Sequence, residues 1–361
     1  MIKPSTVDDI KMAMDIVEVV SDFVNLKKSG SSFKGLSPFT SEKTPSFYVV
    51  PSKGIFKCFS SGKGGDAITF VMEFDGLSYI EALKYLAAKY NITIEEEIQT
   101  DEIQAAQNQR ESLYIVLKYA CDYFQKMLKL NEEGKSIGLS YFKERGFSDD
   151  VIESFNLGYS LNVWNNFYQE ALKKGFKKEN LEAAGLVVSK ENKVYDRFRG
   201  RVMFPIQNVT GKTIAFGARV LSSDAFKNQP KYLNSPESDL YSKSKILYGL
   251  FQSKQQIRQD NNCYLVEGYT DVISMHQIGV KNVVSSSGTA LTDDQVKLIK
   301  RYTQNVTVLY DGDAPGIRAS MRGIDILLEG GLNVRAITFP DGEDPDSFVE
   351  KKGKNEFLDF Y

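Results

Sequence analysis

The sequence predicts an α+β N-terminal domain, then a mixed α+β basic subdomain, then an α/β subdomain built on a parallel sheet. Three observations carry this. From Asn262 onward, short β-branched runs alternate with helical stretches, the pattern of strand-helix-strand units. Between Lys193 and Arg258 twelve Lys and Arg stand against four Asp and Glu, a local charge of +8 in a chain of net charge -2. Near the N-terminus an amphipathic helix gives way to a hairpin of aromatic and β-branched residues. A length of 361 residues, with 42% hydrophobic and 25% charged residues, fits two or three ordinary globular domains. No stretch approaches a membrane span, and the start Met1-Ile2-Lys3-Pro4 lacks a signal peptide's apolar region. Cys58, Cys121 and Cys263 are too scattered for a disulfide framework, so the cytoplasm is the expected location.

In chain order, Ser5 or Thr6 is expected to cap a first helix whose Val7, Ile10, Met14 and Val17 recur at helical spacing. Ser46–Val50, the turn Pro51–Gly54 and Ile55–Phe59 read as the hairpin. Ser78 with Glu81 three residues later is a capping box that opens another helix. Phe47, Phe56 and Phe59 lie among Lys53, Lys57 and Lys63. Such interleaving suits single-stranded nucleic acid through stacking and phosphate attraction, but the same rings equally suit the hairpin's own core. Residues 1–98 form this first domain, polar residues 99–111 a linker, 112–259 the basic subdomain and 260–345 the parallel-sheet subdomain. A further helical region begins over 346–361.

Within the basic subdomain, Arg197, Arg199 and Arg201 alternate along an expected strand. Alternation sends all three to one face, with Phe198 and Val202 on the other. Lys212, Arg219, Lys231, Lys243 and Lys245 add to a surface that attracts phosphate backbones without reading sequence.

The parallel-sheet subdomain carries the acids. The run Val306–Leu309 ends on Asp311-Gly312-Asp313, and Cys263–Val266 ends on Glu267-Gly268-Tyr269-Thr270-Asp271. Open α/β sheets bind ligands beyond the carboxyl ends of their strands. Pairing of these strands brings Glu267 beside Asp311 and Asp313, and three hard oxygen donors suit Mg²⁺ or Mn²⁺ rather than zinc. Asp344 and Asp346 either share a second metal or cap the helix starting near Ser347. His276, the one histidine, reads as a helix-surface or packing residue, which leaves histidine-based nucleophilic catalysis little to work with. The absence of a Gly-x-x-x-x-Gly-Lys-Ser/Thr loop disfavours a P-loop ATPase.

The Glu267-Gly268 strand end, the Ser287-Gly288-Thr289 loop, Asp311-Gly312-Asp313 and Pro340–Asp346 together resemble a Toprim domain. The whole chain resembles bacterial replicative DNA primases of the DnaG type. That resemblance implies a DNA-directed RNA polymerase, a nucleotidyltransferase that makes short RNA primers on single-stranded DNA from ribonucleoside triphosphates with Mg²⁺ or Mn²⁺. It implies catalytic roles for Glu267, Asp271, Asp311 and Asp313, and metal binding by Glu267, Asp311, Asp313, Asp344 and Asp346. It also implies template or nucleotide contacts from Arg199, Arg201, Arg219, Lys231, Asn234 and Lys243.

The N-terminal block resembles the zinc ribbon of the same primases, where a CxxH and a CxxC pair clamp one Zn²⁺. Here Ser37, Thr40, Cys58 and Ser61 stand at the ligand positions. Hydroxyls are poor zinc ligands, so the ribbon fold is expected without zinc. The family continues beyond this point into a helical region and a helicase-binding domain. The chain therefore reads as a C-terminally truncated, monomeric fragment in which binding of the replicative helicase is not expected. Two other readings compete: another Toprim enzyme such as a nuclease or topoisomerase, and an inactive remnant that binds single-stranded DNA. No residue among the 19 tyrosines is marked as a topoisomerase nucleophile, and the intact Glu267, Asp311 and Asp313 disfavour a remnant.

Overall fold

The computed structural model describes residues 2–95, 101–191, 193–221, 230–286, 290–310, 314–340 and 343–360. The chain divides into two units, Met1–Ala106 and Gln107–Tyr361.

In the N-terminal unit the first helix, Pro4–Ala13, starts on proline, whose missing N–H costs nothing in the first turn. Neither Ser5 nor Thr6 caps it, contrary to the sequence expectation. Thr6 is buried within the helix, and its Oγ1 accepts the Glu95 N–H at 3.4 Å. The next helix, Ile16–Ser21, is capped by Asp15, which accepts the N–H groups of Val17 and Glu18 at 2.7 and 3.0 Å. Five antiparallel strands follow in sequence order: Lys27–Ser29, Ser32–Gly35, Phe47–Val50, Ile55–Cys58 and Gly64–Gly65. The expected hairpin is there, with Phe47 opposite Cys58, Val49 opposite Phe56, and Gly54 at φ 62° closing the turn. Phe47 and Phe56 are buried and stack at 5.4 Å, with Phe70 edge-on to both. They are core, so of the three candidate stacking rings only Phe59, 68% exposed, faces solvent. Ser78 and Glu81 form their reciprocal cap at 3.3 and 2.9 Å.

A single helix, Asp101–Leu130, runs through the latter part of the expected linker. The second unit then builds two main sheets. One is antiparallel, ordered Tyr232–Asn234, Thr213–Val220, Arg201–Gln207, Gly158–Ser160. The other is parallel throughout, ordered Val283–Ser285, Cys263–Val266, Asn305–Tyr310, Asn333–Thr338. The strands preceding the two acidic motifs are direct neighbours, Leu265 opposite Val308. Their side chains are buried on both faces: Cys263, Leu265, Val306 and Val308 pack with Val296 and Ile299, while Val266 and Leu309 pack with Val272 and Ile273.

The arginine run is not one strand. Lys193–Asp196 ends before it, residues 197–200 turn with Gly200 at φ 61°, and Arg201 opens the next strand. The three guanidiniums therefore do not share a strand face. His276 is a packing residue. It is buried edge-on against Phe155 at 4.9 Å, with Nε2 3.0 Å from Ser253 Oγ, and burial pulls its pKa down to about 3.

Candidate active site

Carboxylates and cations meet in a cavity of about 590 Å³ in the second unit. Glu267, Asp271 and Asp344 line it from the parallel-sheet half, and Arg197, Lys231 and Lys243 from the antiparallel half and its flanking loops. Glu267 stands at the carboxyl end of Cys263–Val266. Gly268 then starts the helix Tyr269–Gln277, and Asp271, in the first turn, accepts the Gly268 N–H at 2.8 Å. This contact fixes Asp271 and makes it a capping residue as well as a wall of the cavity. Burial raises its pKa to about 7, aided by the neighbouring charges of Asp344 and Glu267.

Asp311 and Asp313 lie outside the described residues, as do Ser287, Gly288, Thr289 and Asp341. Among the described residues no three metal-ligating side chains converge. Asp344 does line the cavity, and its Oδ1 accepts the Ser347 N–H at 2.6 Å as a helix cap. Asp346 has a different setting. It is buried, ion-paired to Arg145, and accepts the Ser274 hydroxyl at 2.5 Å.

The expected cations also separate. Lys231 is exposed at the cavity, and Lys243 reaches it from a short 3₁₀ turn whose N–H is held by Glu237 at 2.9 Å. Asn234 lines it too, its Oδ1 accepting the Tyr269 hydroxyl at 2.9 Å, a bond that ties the two halves together. Tyr269 itself lies flat on Phe204 at 5.2 Å. A side chain on Gly217 would sit 2.4 Å from its ring, which is why the strand carries glycine there. Arg201 is buried at 1% exposure and donates to the carbonyls of Pro230 and Lys231 at 3.1 and 3.3 Å. It positions the segment that bears Lys231. Arg219 donates to the Tyr141 hydroxyl and lies over the Tyr141 and Tyr232 rings at 5.1 and 5.6 Å. Arg199 points elsewhere, stacking on the half-exposed Trp164 at 4.1 Å and Tyr195 at 5.6 Å.

Sequence reasoning placed Arg197 in the basic run without giving it a role in this site, and it passed over Arg145 and Trp164. Arg197 lines the cavity with a buried Nε that has no hydrogen-bond partner among the described residues. Arg145 lies 5.0 Å over Tyr141, the ring that Arg219 also covers. Trp164, the lone tryptophan, gives Arg199 its platform. Only Arg197 had a local signal, as a member of the arginine run.

Three family models match the chain. They are the CHC2 zinc finger over residues 2–102, the DNA primase catalytic core N-terminal domain over 123–254, and a Toprim-like domain over 264–349. A DNA primase of Clostridium acetobutylicum is 45% identical over 98% of this chain and 57% of its own length. One of Aquifex aeolicus is 39% identical over 98% of this chain and 68% of its own length. A crystal structure of the Aquifex aeolicus primase, zinc binding and RNA polymerase domains, is 36% identical with a TM-score of 0.64. It covers 98% of this chain and 84% of that one. A DnaG primase catalytic domain bound to ssDNA is 39% identical with a TM-score of 0.63, over 70% of this chain and 78% of that one. The chain spans under three-fifths of the length of the first such relatives.

Proposed function

This chain belongs to the DnaG family of DNA primases, and from that premise we propose that it makes short RNA primers on single-stranded DNA. The observation that carries the proposal is the cavity in which Glu267, Asp271 and Asp344 share space with Arg197, Lys231 and Lys243. Joining two nucleotides needs charge neutralised on a triphosphate and a 3′-hydroxyl brought in line, which calls for positioning more than for a nucleophilic side chain. The cations hold phosphate oxygens, and Arg197, already desolvated at Nε, gives up little hydration to do so. Arg201 holds the backbone that presents Lys231, and the Tyr269–Asn234 bond keeps the acidic and basic sides in register.

Glu267, Asp271 and Asp344, with Asp311 and Asp313 from the neighbouring strand end, would hold Mg²⁺ or Mn²⁺. The ion when bound supplies neutralisation of phosphate charge and a more acidic hydroxyl. Asp346, committed to Arg145 and Ser274, serves the site as a tether for Arg145. The template strand runs along Arg199, Trp164 and Arg219, whose ring-stacked guanidiniums suit bases and phosphates together.

In the N-terminal unit, Phe59 rests edge-on against Tyr48 at 5.7 Å and shares a shallow groove with Lys57, a surface for one or two stacked bases. That unit works without zinc, because one thiol and three hydroxyls do not make a zinc ligand set. The protein acts in the cytoplasm on ribonucleoside triphosphates. No helix among the described residues is long and apolar enough to cross a membrane.

The test is template-directed incorporation of labelled ribonucleotides on single-stranded DNA with Mg²⁺ or Mn²⁺. Short RNA products that vanish in Glu267→Gln and Asp311→Ala support the proposal. DNA cleavage, or product that survives both substitutions, refutes it.

A further inference from the structure

Two of the four positions that correspond to zinc ligands, Thr40 and Cys58, meet at the Ser60 hydroxyl, and Ser37 joins through the Cys58 sulfur. Ser37 Oγ lies 3.1 Å from Cys58 Sγ, and Cys58 Sγ lies 3.3 Å from Ser60 Oγ. Ser60 Oγ is also 2.8 Å from both Thr40 Oγ1 and Ser46 Oγ. Ser46 Oγ in turn sits 2.6 Å from Glu42 Oε2, while Glu42 Oε1 accepts the N–H groups of Ser37 and Ser46 at 2.7 and 2.9 Å. Ser37 Oγ accepts the N–H groups of Phe39 and Thr40 at 3.1 and 3.2 Å. Those two bonds use its lone pairs, so its own proton points at the Cys58 sulfur. The same loop is anchored by Phe39, whose ring lies 6.0 Å from Phe56 and from Phe70, with the Lys63 ammonium 4.4 Å over it.

We propose that the Ser60 hydroxyl stands in for the metal, as the shared hydrogen-bonded centre that ties the Ser37–Ser46 loop to the Cys58–Ser61 turn. The inference rests on the zinc-free reading of this unit and is independent of the polymerase reading. A metal-held ribbon draws folding free energy from its ion. Of this polar hub's members Cys58 is buried, Ser37, Thr40 and Ser46 are half-buried and Ser60 is exposed, and each has a hydrogen-bond partner. The same contacts shift two ionisable groups. Glu42 is held down at about 2, chiefly by the Ser46 hydroxyl. Burial raises the Cys58 thiol, yet the hydroxyls of Ser37, Ser60 and Ser61 outweigh it and bring the pKa down to about 7. Ser60 lies between the ligand positions rather than at one, so a comparison of ligand positions alone overlooks it.

Three measurements on the full chain test this. Wild type incubated with Zn²⁺ and then desalted is expected to carry less than about 0.1 zinc per chain, with a Tm that a chelator leaves unchanged. Ser60→Ala is expected to speed hydrogen exchange in residues 36–46 and 57–65 by about tenfold or more, while Ser41→Ala, on the exposed part of the loop, leaves it alone. Ser37→Cys, Thr40→His and Ser61→Cys with the native Cys58 should take up about one zinc once Ser60→Gly is added, and bind it about tenfold more weakly with Ser60 kept. Stoichiometric zinc in wild type overturns the zinc-free reading together with the hub. A zinc-free wild type whose exchange is unmoved by Ser60→Ala overturns the hub alone, as does equal zinc affinity with and without Ser60.

Discussion

Replacing Arg201 by methionine separates a positioning role from a direct contact with nucleic acid. Arg201 is among the largest fully buried side chains and spends Nη1 on the carbonyls of Pro230 and Lys231. A hydrogen bond from a charged donor contributes about 1.5–3 kcal/mol net, and stranding two acceptors pushes toward the upper end, so Arg201→Met should cost about 3 kcal/mol. Methionine recovers part of the apolar stem. For a unit of this size each kcal/mol moves Tm by about 2–4 °C, so the expected drop is about 6–12 °C. The unit is followed by thermal unfolding, and single-strand binding is titrated across salt concentrations. A residue that neutralises a phosphate contributes about -0.7 to the slope of log K against log salt on single strands. The Arg201→Met slope should therefore match wild type, whereas Lys231→Ala should flatten it by about 0.7. Wild-type Tm with a flattened slope for Arg201→Met would refute the positioning role.

Other perturbations have expected outcomes of similar definition. Gly217→Ala drives a methyl into the Tyr269 ring, held between Phe204 and Tyr248, and should cost about 1–3 kcal/mol by denaturant unfolding. Its loss should vanish when Tyr269→Ala is made in the same chain. His276 titrates near 3 when folded against an ordinary 6.5, so the unfolded chain binds the extra proton. Its contribution is fully present above pH 6.5 and is lost as pH falls, by about 2 kcal/mol at pH 5. Asp196, raised to about 6 chiefly by burial, works the other way: its contribution is present below its ordinary 3.8 and lost as pH rises through 6. Comparing stability from pH 7 to 5 in wild type and His276→Gln isolates the histidine, and the variant should lose less. Phe59→Ala should weaken single-strand binding by roughly 5- to 150-fold, the value of one stacked base, with no change in Tm.

The sequence disclosed what depends on local pattern. β-branched runs spaced by helices gave the parallel sheet, and a Ser-x-x-Glu signature gave the cap at Ser78. Placing acids at strand ends gave Glu267 and Asp271 at the cavity. It misplaced the arginines because period-two alternation was extended through a turn. Gly200 in the left-handed region breaks the strand, so Arg201 goes inward and Arg197 takes the cavity. Arg145 and Trp164 carry no local signal. They matter because tertiary packing sets them against Asp346 and Arg199, distant in sequence. Asp346 shows the same limit: its spacing from Asp344 suggested a shared ion, while Arg145, two hundred residues away, occupies it with an ion pair.

The most direct test of the central claim, that Glu267, Asp271 and Asp344 together with Asp311 and Asp313 hold the metal at the nucleotide cavity, is cleavage of the chain by bound Fe²⁺ with peroxide and ascorbate. Cuts confined to the backbone around residues 267–271, 311–313 and 343–346, abolished by excess Mg²⁺ and by Glu267→Gln, are the predicted result. Cuts elsewhere in the second unit, or cuts that survive Glu267→Gln, would contradict it.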